Sequence, residues 1–467
     1  MLMQEMKSFF YPSSIAVFGV SNDQRNLAKN IILNCHRMAF KGEIYPVGRH
    51  PGTVHGRNIL THADDLPLDV ELAVILVPSQ FVAETIEACG KKGIRHAIIS
   101  TGGFREYHAE NNVAEEDLIR MAAQYGVQFI GPNCIGVICT NSGLCTPFNP
   151  IQARSLKKGT TSIVCQSGGV TTQAAYYFSE EKIGFSKIVS AGNKLNLNEI
   201  NYIKYFMEDD DTEQIHLYLE SIENGSELIA LAKKSRKPIV VFKANVSATA
   251  SQIAYSHTAA LANGVSIVDG ALKQAGIIRA NNIHEMTVCA NVFRLPPLRG
   301  NRLVVISLSG GFAVMIGDAC EKYGFMCPPL PDWLLRKIES FRRGGVIKMS
   351  NPMDFGDVHD AKALIYAIEQ CLTLEDIDGM VLSLMYDPDI GEAFGGVDNM
   401  MEMLLNFLNE LGEKVKKPVA VSFFSERKYI DEIKEIGMFP IFNNPVESVQ
   451  ALSSLRSYWS RKALSQS

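Results

Sequence analysis

A histidine flanked by two hydroxyl residues, Ser256-His257-Thr258, stands in a stretch rich in Ser, Ala and Thr, Lys243–Gly264. Side chains this small suit a mobile or closely packed loop rather than a core element. An imidazole can attack phosphoryl groups and form an N–P bond. That chemistry needs a neighbour to orient the ring, usually a carboxylate at its other nitrogen. Glu220 closes the run "HLYLE", which places it at the mouth of a sheet with Glu223 nearby. Gln166-Ser167-Gly168-Gly169 follows another apolar run and opens a helix, whose first amides suit a phosphate's negative charge. Taken alone, a loop histidine or a strand-end glutamate reads as a solvated bystander.

A second group of small residues is expected at strand ends in the first third of the chain. These are Gly19-Val20-Ser21, Pro46-Val47, Pro78-Ser79, Ser100 to Phe104 and Gly131-Pro132-Asn133-Cys134. Ligands of parallel sheets bind beyond the carboxyl ends of the strands, where small residues let the backbone approach them. The first turn, "FGVSNDQRNLAKN", has one glycine where a dinucleotide fingerprint has three. Gly48, Arg49 and His50, not an acidic residue, end the second strand. Both facts argue against a nicotinamide dinucleotide.

The elements that must position these residues follow from the pattern. Short apolar runs ending in Gly, Pro, Ser or Asn alternate with helix-like stretches, which predicts βα units and parallel sheets. At 467 residues the chain is too long for one core. Composition shifts near Thr140–Gly159 and at "LPPLRGN" (Leu295–Asn301) divide it into residues 1–140, 141–295 and 296–467. The second and third parts read as a duplication. "SIVCQSGGV" (Ser162–Val170) matches "VVISLSGGF" (Val304–Phe312), and "KPIVVF" (Lys237–Phe242) matches "KPVAVSF" (Lys417–Phe423). The third part repeats the Ser-Gly-Gly turn, yet its matching strand ends in Leu384-Met385-Tyr386 and no histidine follows "KPVAVSFFSERK". The scaffold thus keeps its anion-binding turn twice and the candidate nucleophile once.

Composition narrows the partners. The net charge of -5, with no dense Lys/Arg stripe, makes nucleic acid an unfavourable partner. Ten scattered cysteines, with no CxxC pair and no zinc spacing, fit free thiols in a reducing cytosol, and no metal site is expected. The first twelve residues do not read as a signal peptide, and no apolar run is long enough to span a membrane. A cytoplasmic protein is expected.

In order along nearly the whole chain, the segments "FYPSSIAVFGVSN", "GEIYPV", "VELAVILVPS", "AIISTGGFRE", "FIGPNCIGV", "VCQSGGV", "GFSKIVSAGNK", "YLESIENG", "KPIVVFKAN", "SHTAALAN", "GNRLVVISLSGG", "NPMDF" and "FPIFNNPVESVQAL" resemble the α subunit of ADP-forming acetyl-CoA synthetase. More distantly they are similar to the α subunit of succinyl-CoA synthetase. The resemblance implies an α/β fold, with an N-terminal Rossmann-like CoA-binding domain followed by two flavodoxin-like doubly wound domains. It makes His257 the phosphorylated residue and Glu220 its orienting carboxylate, with Ser167, Gly168 and Gly169 at the phosphate. It lines the CoA site with Gly19, Ser21, Val77, Pro78, Ser100, Gly131, Pro132 and Asn133.

The implied reaction interconverts acyl-CoA, phosphate and ADP with carboxylic acid, CoA and ATP. CoA is a substrate, and ATP/ADP with Mg belong to a partner ATP-grasp β-type subunit, so a hetero-oligomer is expected. Several positions depart from the family pattern: Leu27-Ala28 where a later glycine is usual, Ala244-Asn245-Val246-Ser247 after Lys243, Ala259 after "SHT", and Arg49 in place of a lysine. These departures keep two alternatives in view: a CoA- or acyl-CoA-sensing protein whose ligase activity has decayed, and a related acyl-CoA lyase or transferase.

Overall fold

Runs such as "SIVC" and "IVVF" are β-branched and apolar, the composition of a strand covered on both faces. The computed structural model describes residues 2–104, 112–149, 151, 156–247, 249–250, 265–358, 360–386, 406–407, 410, 416–436 and 439–466. The chain folds into two compact units, residues 1–286 and 287–467.

The first unit holds two large sheets and one two-stranded hairpin. β1 (Ser14–Phe18), β2 (Glu43–Val47), a small hairpin of β3 (Thr53–Val54) and β4 (Arg57–Asn58), β5 (Leu72–Ile75), β6 (His96–Ile99) and β7 (Gln128–Ile130) come first. Apart from the hairpin they form a parallel sheet in the order β2-β1-β5-β6-β7. Its side chains alternate between two cores. Ile15, Val17, Leu72 and Val74 face one, and Ala16, Phe18, Ala73 and Ile75 the other.

The second sheet comprises β8 (Val137–Cys139), β9 (Leu144–Cys145), β10 (Lys158–Cys165), β11 (Phe185–Ser190), β12 (Gln214–Leu219), β13 (Ile239–Lys243) and β14 (Ile278–Ala280). Its order is β14-β13-β12-β10-β11-β8-β9. The strands from β10 onward are parallel, whereas β8 and β9 are an antiparallel edge added through β11. The segment 137–145 thus belongs to the second sheet. One apolar cluster continues from Ile15 and Val74 of the first sheet to Val164, Leu217 and Val241 of the second. Each such side chain contributes about 1.5–3 kcal/mol on burial.

In the second unit, β15 (Leu303–Ser307), β16 (Met353–Asp354), β17 (Gly379–Met385), β18 (Val419–Phe424) and β19 (Ile441–Phe442) form a parallel sheet ordered β16-β15-β17-β18-β19. Val304, Ile306, Met380 and Leu382 pack on one face, and Leu303, Val305 and Val381 on the other.

All three sheets share one plan. Counting parallel strands alone, the first has the second on one side and the third, fourth and fifth on the other, the flavodoxin-like doubly wound order. The fold is thus α/β, with a Rossmann-like first domain and two flavodoxin-like ones. Among the described residues all ten cysteines are free, no His/Cys/Asp/Glu cluster could hold a metal ion, and no helix is long and apolar enough to cross a membrane.

Candidate functional site

In a doubly wound sheet the chain leaves its first and third strands in opposite directions, and a crevice opens between their carboxyl ends. In the first sheet that point lies between β1 and β5. Gly19 has φ +93°, and a Cβ there would strike the Leu76 carbonyl, so only glycine lets the two strand ends approach. The Gly19 and Val20 amides both reach the Val47 carbonyl at 3.0 Å, and Asn26 Nδ2 holds the Gly19 carbonyl at 2.9 Å. Ser21 and Val77 are half-buried at the same mouth, and Pro78 is exposed there. Thr101 Oγ1 donates to the Val77 carbonyl at 2.7 Å, and Ser100 is buried against the Cys134 thiol. The helix Ala28–Arg37 starts after Leu27, whose side chain makes no cap, while Asn26 Oδ1 accepts the Lys29 amide at 3.1 Å. Its first amides have no partner inside the helix. At the rim, the Arg49 guanidinium lies 4.4 Å from the centre of the Phe81 ring.

Gly131, Pro132 and Asn133 leave β7 and pass directly to the second sheet. The Asn133 amide donates to Thr101 (2.9 Å), while the Pro132 carbonyl accepts Asn193 (2.9 Å) and the Gly131 carbonyl accepts Leu195 (3.2 Å). Asn133 has φ 58°, a conformation that asparagine tolerates better than most residues. The Ile135 amide donates to Ser190 Oγ at 3.1 Å, at the end of β11. One strip of chain, 131–135, therefore borders both crevices.

In the second sheet the corresponding point lies between β10 and β12. Ser167 caps the helix Gly168–Glu180, its hydroxyl accepting from the Val170 amide at 3.4 Å. Helix geometry leaves the first amides, at Gly168 and Gly169, without intrahelical acceptors. Glu220, half-buried, stands one residue past β12. Gln166 joins the two. Its Oε1 accepts the amides of Glu220 (2.9 Å) and Ser221 (3.0 Å), and its Nε2 donates to Ser221 Oγ (3.3 Å). Tyr218 OH reaches the Glu220 carboxylate at 3.4 Å. The structure therefore brings Glu220 and the Ser167–Gly169 helix start to one strand-end cleft. His257 lies outside the described residues.

Beneath this cleft are buried charges that the sequence reading passed over. Lys243, the last residue of β13, is 1 % exposed and donates to the carbonyls of Glu220 (2.8 Å) and Ala244 (2.6 Å). Burial, helped by the nearby Arg279 and Lys194 cations, pushes its ammonium down to about 8. Lys194 binds Glu199 at 2.9 Å, the Ser221 carbonyl at 3.0 Å and Glu223 at 3.3 Å. Glu199 in turn accepts the Glu223 amide at 2.7 Å. Their signal in the sequence is faint: a lysine closing the apolar run "IVVFK", and another in the turn "SAGNK".

Two families match parts of the chain: the CoA binding domain over residues 13–140 and the succinyl-CoA ligase like flavodoxin domain over residues 158–293. The chain is 34% identical over 348 residues to the acetate–CoA ligase [ADP-forming] II subunit alpha of Pyrococcus furiosus, covering 74% of this chain and 75% of that one. With the I subunit alpha of the same organism it shares 30% over 470 residues, 98% of each chain. Among solved structures it resembles the dinucleotide forming acetyl-coenzyme A synthetase 1 of Ca. Korarchaeum cryptofilum, in complex with phosphate and ADP. There the TM-score is 0.87 at 28% identity, over 98% of this chain and 99% of that one. Overlap with two α subunits, three quarters of each chain in one case and 98% in the other, on a fold with a matching CoA binding domain, places the chain in the ADP-forming acetate–CoA ligase α-subunit family, a family of acid–thiol ligases.

Proposed function

We propose that the chain is the α-type subunit of a nucleoside-diphosphate-forming acyl-CoA synthetase that works through an acyl phosphate and a phosphohistidine at His257. The observation that carries this reading is the Gln166 bridge. It holds the carboxylate-bearing turn at Glu220 against a helix start suited to an anion, at the switch point of a sheet. The strip 131–135 supports it by bordering this cleft and the first crevice together.

The proposed division of labour follows the three parts of the chain. Residues 1–140 bind CoA through Gly19, Ser21, Val77, Pro78, Ser100, Gly131, Pro132 and Asn133, with Arg49 near a CoA phosphate. Residues 141–295 carry the phosphoryl group, and residues 296–467 form the second flavodoxin-like domain. In the ATP-forming direction a phosphate oxygen attacks the thioester carbonyl, the C–S bond breaks and CoA leaves as thiolate. An imidazole nitrogen of His257 then attacks phosphorus in the acyl phosphate, forming an N–P bond while the P–O bond to the carboxylate breaks. Glu220 accepts the hydrogen bond of the other ring nitrogen and stabilises the cation that forms. Ser167, Gly168 and Gly169 hold the phosphoryl oxygens. Finally an ADP oxygen attacks phosphorus, the N–P bond breaks and ATP forms. ADP and Mg are held by a partner ATP-grasp subunit, which makes the assembly a hetero-oligomer.

The test is phosphate transfer. The purified chain is mixed with [32P]acetyl phosphate, or with labelled phosphate and acetyl, branched-chain, aryl and dicarboxylic acyl-CoA thioesters in turn. Acid-labile, base-stable label that disappears in His257→Ala is the expected result. If the wild type takes up no label with any donor, yet binds CoA, the chain is a CoA-binding protein without carrier chemistry.

A further inference from the structure

Around Glu220 both backbone amides and both backbone carbonyls of two successive residues are satisfied by side chains. The amides of Glu220 and Ser221 converge on Gln166 Oε1. The Glu220 carbonyl accepts from Lys243 at 2.8 Å, and the Ser221 carbonyl from Lys194 at 3.0 Å. Both lysine side chains are buried, and ordinary turns expose such carbonyls to water instead. Burying two ammonium groups costs several kcal/mol each unless they are compensated. Lys194 is compensated by Glu199 and Glu223. Lys243 has no carboxylate within ion-pair distance among the described residues; it faces Glu220's backbone, with the Arg279 guanidinium on its own carbonyl at 2.9 Å. Buried charges can serve to fix one conformation, and what these two lysines both contact is the turn at the base of Glu220.

We infer that Lys243 and Lys194 are positioning residues of the transfer site: they lock the Glu220–Ser221 turn so that the Glu220 carboxylate meets the imidazole in one orientation. This rests on the phosphohistidine reading. A displacement of about 1 Å at a reacting group costs roughly 100-fold in rate, which is the scale of effect to look for. The charged groups facing Lys243 are Arg279 from β14, Lys194 from the turn after β11 and Glu220 from the end of β12. Asp269 neutralises Arg279 at 3.0 Å. Loss of the Lys243 proton therefore removes one unpaired cation from the clamp near pH 8.

The experiment compares label uptake from [32P]acetyl phosphate by the wild type, Lys243→Met and Lys243→Arg across pH 6–9. CoA affinity is measured in parallel. The expected result is an uptake rate about 100-fold lower in Lys243→Met, recovery to within about 10-fold in Lys243→Arg, and an unchanged CoA Kd. The alkaline limb near pH 8 should be present in the wild type and absent in Lys243→Arg. Should Lys243→Met not fold, Gln166→Leu withdraws the same turn's other anchor and should give the same loss. Wild-type uptake in a folded Lys243→Met or Gln166→Leu overturns the inference. So does a CoA Kd that weakens in step with uptake. Amide exchange at Glu220 and Ser221 does not depend on the histidine. Slow exchange there in the wild type and faster exchange in Lys243→Met, with no label in either, would sink the phosphohistidine reading alone. Fast exchange in the wild type sinks the clamp.

Discussion

Lys187 Nζ lies 2.7 Å from Asp209 Oδ2 with neither side chain more than 9 % exposed, and the Phe10, Tyr11 and Tyr205 rings surround the ammonium at 5.1–5.9 Å. Tyr11 also donates to Asp211. This pair fastens the N-terminal segment to the second sheet, so it links the two halves of the first unit. Removing one partner strands a buried charge and is expected to cost about 3–5 kcal/mol. Removing both together should cost less. Thermal midpoints of Lys187→Met, Asp209→Leu and the double variant check this, and a double loss equal to the sum of the two single losses would show that the pair does not interact.

In the first crevice, Gly19→Ala should weaken CoA binding at least tenfold. The new methyl meets the Leu76 carbonyl and the φ of +93° strains any L residue, so the mouth between β1 and β5 must open. Gly56→Ala is the control: φ is +75° there, but nothing lies within 4 Å of the added Cβ. It shares the backbone strain without touching the crevice. Titration calorimetry with CoA separates the two. Comparable losses in both variants would mean that strain alone, and not the strand-end approach, governs binding.

Much of this was legible beforehand. The runs that became β10, β13 and β15 stand out because they are apolar, carry Val and Ile in succession, and are flanked by Gly, Pro or Ser. The strand-end residues Gly19, Ser167 and Glu220 then follow from topology, because parallel strands present their carboxyl ends together. The elements passed over are short or irregular: β9, β14 and β16 have two or three residues, too few for periodicity to register. Of the antiparallel edge, Val137–Cys139 falls just before the Thr140–Gly159 stretch read as a boundary, and Leu144–Cys145 lies inside it. The bridging roles of Gln166, Lys194 and Lys243 were missed for another reason. These side chains satisfy backbone groups in the turn after β12, and no local pattern encodes a partner 23 to 55 residues away.

His216 offers a pH test of folding. It is fully buried on β12, its Nε2 lies 2.9 Å from Gln214, and Phe178 packs edge-on at 5.4 Å. Burial pushes its pKa down to about 3, so the native state refuses a proton that the unfolded chain accepts near 6.5. The neutral ring's contribution is complete above about pH 6.5 and is lost as pH falls toward 3, at about 1.4 kcal/mol per unit. His216→Leu should flatten that acid limb. Urea midpoints at pH 7, 6, 5 and 4 would show it; an unchanged slope would assign the limb to other groups.

The two glycines that open the helix Gly168–Glu180 should respond differently to the same methyl group. A Cβ on Gly168 would approach Ile135 Cγ2 to 2.8 Å, whereas one on Gly169 meets only Ser167 Oγ, at 3.9 Å. Gly168→Ala therefore overpacks the junction with the 131–135 strip and should cost about 1–3 kcal/mol of stability. Gly169→Ala should leave the thermal midpoint within about one degree, since a change under 0.5 kcal/mol is usual where nothing is displaced. Gly169 is exposed at the helix start, where a bound phosphoryl group would stand against the backbone. Its substitution should then slow label uptake about tenfold with the fold intact. Adding Ile135→Val to Gly168→Ala should restore part of the stability, because it trims the side chain that the new methyl strikes. If Gly169→Ala instead labels at the wild-type rate, the anion does not approach this turn, and the helix start serves the packing of β10 against β11 alone.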